Sequence, residues 1–208
     1  MKNPRVKVML IVGLDLAGVE TRPTGFCLLA GMKAETCLLY TNEEILEKID
    51  NYRAQVIAID APLSLPPGRK TIEDRSGAHL RKSDRELLKK RVKFFPITLG
   101  PMRKLTERGI YLRRVLESRN FRVIEVYPGG AQDVLDIPRK QKGTDKLKAG
   151  LEKIGIEALK SGLSDHELDA VTCAFVGKPF LEGKSTTYGE QENGIVMPKA
   201  EKPRGIEL

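Results

Sequence analysis

The chain has 208 residues, a net charge of +8 and a sequence pI near 9.4, with 40% hydrophobic and 31% charged residues. A single domain of this length buries about 70% of its unfolded surface and folds without disulfides or a structural metal. Cys27, Cys37 and Cys173 lack the spacing of a zinc site and suit reduced thiols in a cytoplasmic protein, and no apolar stretch approaches the roughly 18 residues of a membrane helix.

Residues 6–15 read as a buried strand that runs straight into Asp15. Lys2, Arg5 and Lys7 precede it, but Asp15 interrupts the apolar run and no small-residue cleavage site follows, so it is not read as a signal peptide. Residues 24–40 predict two strands around a turn at Gly31–Ala34. TNEEILEKIDNYRA predicts an amphipathic helix opened by a Thr41/Glu44 capping box, with Ile45, Leu46 and Ile49 facing the core. Residues 56–60 form the next buried strand, ending on Asp60 before the proline-rich APLSLPPG. Two buried runs of this kind predict parallel pairing with helices on both faces.

Residues 66–114 read as a basic, mostly helical insertion. A Ser83/Glu86 capping box is expected to open its first helix, and Pro101 falls in the first turn of the next. Between Leu80 and Arg114 stand twelve Lys or Arg against three Asp or Glu, a local surplus larger than the whole chain's. Such a segment suits a polyanion, nucleic acid first, or else a solvated helix face. Residues 122–128 return to strand, with Glu125 inside an apolar run. A carboxylate there is costly unless paired, so Glu125 is either a site residue or the partner of a buried arginine. TDKLKAGLEKIGIEALKSG is helical with interruptions. SDHELDAVTCAFVG is a helix with a Ser164/Glu167 capping box. The tail from about 182 is Gly, Pro, Lys and Glu rich. One short strand is expected at NGIVMP, and the last ten residues are expected to fray.

Strand-end carboxylates are the chemical signal. In an open α/β sheet, sites form at the carboxyl ends of neighbouring strands, where Asp15 and Asp60 both sit. If their strands are adjacent, the two charges repel unless a cation lies between them or a pKa rises. Oxygen ligands on rigid strands suit Mg²⁺ or Mn²⁺. Either Asp alone could instead cap the following turn. Asp165 and Asp169 share a helix face. Asp165 and Glu167 have explanations as first-turn and capping-box acids, whereas Asp169 lies past the first turn beside the apolar stripe. A helix-start histidine such as His166 is more often structural than catalytic.

GLDLAG, IAIDAPLSLP, RKSDRELLKK, VIEVYPGGA and SDHELDA, in that order over roughly residues 8–178, resemble the DUF429 family, described as predicted nucleases of ribonuclease H-like fold. His166-x-x-Asp169-Ala170 is similar to the late helix of the RuvC-type Holliday-junction resolvases. The resemblance implies an α/β domain with a five-stranded mixed sheet flanked by helices. It implies an acidic metal site of Asp15, Asp60 and Asp169, joined by Glu125 as a catalytic acid or by Asp165 as a ligand, with His166 a further candidate on the same helix. The second acid of the resolvases is usually Glu, and Asp60 is shorter. Two metals about 4 Å apart would serve phosphodiester hydrolysis. The basic insertion would clamp the nucleic-acid backbone, with Arg81, Arg85, Lys89 and Arg91 as phosphate contacts. The competing expectations are an inactive nucleic-acid-binding module and a hydrolase of small phosphorylated substrates. An actin-like ATPase would need two such domains, and the chain has no Walker A sequence.

Overall fold

A computed structural model describes residues 8–199; the start of the expected first strand (residues 6 and 7) and all but one of the last ten residues lie outside this range. The chain runs β1 (Leu10–Asp15), β2 (Thr24–Ala30), β3 (Lys33–Leu39), α1 (Asn42–Asp50), β4 (Val56–Asp60), α2 (Lys82–Lys89) and α3 (Gly100–Ser118). It continues through β5 (Val123–Val126), α4 (Pro128–Val134), a 3₁₀ turn (Lys140–Lys142), α5 (Thr144–Lys153), α6 (Asp165–Leu181), β6 (Ser185–Tyr188) and β7 (Ile195–Pro198).

The strands form one mixed sheet in the order β3-β2-β1-β4-β5-β7-β6. The β1–β2–β3 meander is antiparallel, whereas β1, β4, β5 and β7 are parallel and β6 returns antiparallel to β7. The first five strands in this order are the expected mixed sheet. The β6–β7 hairpin extends it to seven, because Ile195–Pro198 is a fully buried run that pairs with β5, and Ser185–Tyr188 carries the β-branched and aromatic residues of an edge strand.

Side-chain alternation divides the core into two layers. Ile11, Cys27, Leu29, Val56 and Ala58 face α6, while Val12, Leu14, Phe26, Leu28, Ile57 and Ile59 pack against α1 and α3. Helix α6 is apolar around most of its circumference because the sheet covers one side and α4 and α5 the other. Its position on the sheet depends on two glycines. A Cβ at Gly13 would lie 2.1 Å from the Ala170 carbonyl oxygen, and one at Gly25 would lie 1.9 Å from that of His166. Helix backbone therefore rests directly on β1 and β2, which brings the first turn of α6 to the end of β1.

Capping of α1 and α6 follows the sequence: Glu44 N–H donates to Thr41 Oγ at 3.1 Å and Glu167 N–H to Ser164 Oγ at 3.2 Å. The α2 start does not. Arg81 is the N-cap residue, and its N–H donates to Asp84 Oδ2 at 2.9 Å. Ser83 lies inside the helix with its hydroxyl buried, and Glu86 instead accepts the Gly189 N–H at 2.8 Å. The cause is the buried Arg81 side chain, which locks Asp84 against the helix end.

Candidate active site

Asp15 and Asp60 are paired in register across the parallel β1–β4 ladder, each the last residue of its strand. Both share the parity of the residues that face α6. Two carboxylates are thus side by side at the carboxyl edge of the sheet, below the first turn of α6. Asp169 reaches the same place from α6 and is only 4% exposed.

The electrostatics follow from this crowding. Burial first, and then the charges of Asp15 and Asp169, push the Asp60 carboxyl well above the usual range. Burial also raises Asp169, against the opposing pull of the Lys140 ammonium. His166 Nδ1 lies 2.7 Å from Asp15 Oδ2, a contact that raises the imidazole pKa. Lys140 Nζ lies 2.8 Å from Asp169 Oδ2 and 3.5 Å from Asp165 Oδ2. The Gln132 amide donates to Asp169 Oδ1 at 2.7 Å and to Thr172 Oγ1 at 3.1 Å. Asp15, Asp60, Asp169 and His166 therefore come together, while Asp165 stands at the rim through Lys140.

Glu125 lines the same cleft as Asp60 and Asp169 but does not face the other acids. It pairs in register with Ile59, so it faces the α3 layer, opposite in parity to Asp60. Its two oxygens accept from Arg81 Nη1 and Nη2 at 2.7 and 2.8 Å, and one accepts the Leu63 N–H at 2.8 Å. Of its two expected roles, the geometry has the partner of a buried arginine. Arg81 is corrected with it. Only 5% exposed, its guanidinium is spent on Glu125 and Asp84 and is not free to meet a phosphate. Several other charges of the basic segment are also tied up. Arg108 donates to Asn42 Oδ1 and to the Ala17 and Tyr40 carbonyls, and Arg113 to Glu117 and Asn193. Arg85, Lys89 and Arg91 are exposed but do not line the cleft that holds the acids.

That cleft, about 300 Å³, is lined by Asp60 and Asp169, by the apolar side chains of Phe94, Met102 and Leu105, by the buried Arg81 with its partners Glu125 and Asp84, and by two further cations, Arg139 and Lys140. Sequence reasoning missed Gln132, Arg139 and Lys140. The Gln132 signal was present in VYPGGAQD, where the Tyr127-Pro128 step opens α4. Lys140 carried none, since the chain contains 36 Lys and Arg.

Chemically, the donor set suits a hard divalent cation. Three carboxylates converge, and Asp60 is penalised in its ionised form by the other two. Among the described residues, no three His, Cys, Asp or Glu side chains stand close enough to hold a metal as the side chains now lie. His166 takes Asp15 and Lys140 takes Asp169, so binding would require Lys140 to release Asp169. No helix among the described residues is long and apolar enough to cross a membrane.

The family model described as "Protein of unknown function (DUF429)" matches residues 13–193. Among curated proteins, none matches the chain. Among solved structures, the chain is similar to T. thermophilus RuvC in complex with a Holliday junction substrate. The TM-score is 0.52 at 13% identity, over 84% of this chain and 97% of that one. At this identity the likeness concerns the fold, which is ribonuclease H-like.

Proposed function

The chain belongs to the DUF429 family, and we propose that it is a divalent-metal-dependent nuclease. The reading rests on one observation: Asp15 and Asp60 end adjacent parallel strands in register, and Asp169 on α6 lines the same cleft as Asp60. The ribonuclease H-like fold and the nucleic-acid complex of its structural neighbour support it. Asp15, Asp60 and Asp169 would hold Mg²⁺ or Mn²⁺, with Asp165 at the rim. When bound, the cation supplies an activated water and offsets charge on the leaving oxygen. His166 fixes the orientation of the Asp15 carboxylate, and Gln132 fixes that of Asp169. Lys140 balances the acidic cluster and is placed to meet a phosphate oxygen once Asp169 is engaged elsewhere. Arg85, Lys89 and Arg91, exposed on the basic segment, are candidates for more distant backbone contacts.

Titration calorimetry with Mn²⁺ tests the metal site: Asp15→Asn and Asp60→Asn should each weaken binding strongly, and unchanged affinity in both rejects it. A cleavage screen over single-stranded, duplex and branched DNA and RNA, with Asp15→Asn prepared in parallel, tests the chemistry. Metal binding without cleavage of any nucleic acid would favour an inactive binding module.

A further inference from the structure

The cleft beside the acids has a wall that phosphodiester chemistry alone does not explain. Phe94, Met102 and Leu105 line it, and Phe95, also part of the lining, is 72% exposed. A phenylalanine so exposed contributes little to a core, and here it stands next to a partly buried one. The segment carrying both rings is held in place: Tyr127 donates its hydroxyl to the Lys93 carbonyl at 2.6 Å. The Arg139 guanidinium lies 5.9 Å from the Tyr127 ring centroid and is paired with Asp133. Apolar wall, cations and carboxylates thus converge in one cavity of about 300 Å³, at the small end of ligand sites.

We infer that this cleft takes a single unpaired nucleotide, its base against Phe94 and Phe95 and its phosphate toward Lys140 and Arg139, beside Asp60 and Asp169. The aromatic wall and the two partly exposed cations each match one part of that ligand. Every base has a π-face that stacks on an aromatic ring without regard to sequence. The phosphate finds its complement in Lys140 and Arg139, which are partly exposed and can add a phosphate oxygen to the carboxylates they already hold, whereas the third lining cation, Arg81, is buried on Glu125 and Asp84. A base inside a duplex has both faces covered by its neighbours and reaches such a wall only after leaving the stack, at a cost lowest where it is already unpaired. The preferred substrate is therefore a single strand, or a junction or flap with an unpaired nucleotide, rather than continuous duplex. This inference rests on the nuclease reading for its substrate class.

The test uses the full chain and a short single-stranded oligodeoxynucleotide carrying 2-aminopurine, whose fluorescence is quenched on stacking. It is run in the Asp15→Asn background with chelator present, so that neither metal binding nor cleavage enters. The expected result is quenching on binding, tighter binding of this strand than of its duplex, and weaker binding of an abasic strand of equal length. Phe95→Ala should weaken single-strand binding by about 5- to 150-fold, the range that base–aromatic stacking is worth. Its exposure means that the substitution leaves the fold intact, and the abasic strand tests the same contact with no change to the protein. Equal affinity for single strand and duplex, or for normal and abasic strands, overturns the inference. So does free nucleoside monophosphate binding more tightly than the strand, which would place a small phosphorylated ligand in the cleft. Cleavage is scored separately on wild type: stacking without cleavage in any metal supports the inference and refutes the nuclease reading. Cleavage indifferent to Phe95→Ala and to base removal refutes the inference alone.

Discussion

Replacing Arg81 by Met should destabilise the protein severely while leaving weak, salt-sensitive nucleic-acid binding in place. Arg81 is enclosed, with a side chain only 6% exposed, between Glu125 and Asp84, which are 6% and 1% exposed. It forms a two-pronged contact with Glu125 and a second contact with Asp84 at 2.9 Å. Removing one partner of a buried ion pair costs about 3–5 kcal/mol, because the remaining charge is left uncompensated. Here two carboxylates are left, with the Leu63 N–H as the other donor to Glu125. Folded domains hold only about 5–15 kcal/mol in total. At about 2–4 °C per kcal/mol for a chain of this size, the midpoint should fall by about 6–20 °C. Adding Glu125→Gln to the Arg81→Met background should recover part of the loss, since it removes one orphaned charge. Arg81→Lys should fall between, because an ammonium keeps the charge but not the planar fork. Arg85→Gln and Lys89→Gln, on exposed positions, should stay within about 0.5 kcal/mol of wild type. Thermal denaturation followed by circular dichroism measures all five. An Arg81→Met midpoint within about 2 °C of wild type, together with a flattened salt dependence of nucleic-acid binding, would show that the guanidinium serves phosphate rather than the fold.

Without metal, Asp60→Asn should raise stability at neutral pH even as it removes metal binding. The folded state holds the Asp60 proton more tightly than the unfolded chain, whose value is near 3.8, so ionised Asp60 is a penalty above its folded pKa. That penalty is about 1.4 kcal/mol for each unit of elevation, and the advantage of Asn should shrink as pH falls through the folded value towards 3.8; denaturation in chelator at neutral and mildly acid pH measures it, and a variant less stable than wild type at neutral pH contradicts the crowding. Glu167→Ala should cost about 1 kcal/mol, because the carboxylate accepts both the Ser164 N–H and the Thr36 hydroxyl, yet should leave Mn²⁺ affinity unchanged, as calorimetry on the same preparation would reveal. Gly25→Ala should push the start of α6 off the sheet, with a loss of about 1–3 kcal/mol or more and weaker Mn²⁺ binding; native stability and affinity would mean that the helix does not rest on β2 as described.

Local signals in the chain were enough for the frame of this protein. Apolar runs at 8–14 and 56–59, each closed by an aspartate, suggested strands covered on both faces and hence a parallel pair. The capping boxes of α1 and α6 were legible because their partners are three residues apart. Asp15 and Asp60 could be paired on paper because each closes its strand, and Asp169 stood out because neither cap nor helix dipole accounts for it. Long-range packing decided the rest. Whether Glu125 joined the acids depended on a parity of one residue between β4 and β5, and that register is set by the three-dimensional sheet. Arg81 was expected, with Arg85, Lys89 and Arg91, to meet phosphate; the fold instead brought it to a carboxylate 44 residues away in sequence. Lys140 and the aromatic wall of the cleft were equally silent, because their meaning comes from neighbours that only the folded chain supplies. A local pattern records what a segment needs from its immediate neighbours; which distant group meets each exposed charge is written in the packing of helices onto the sheet.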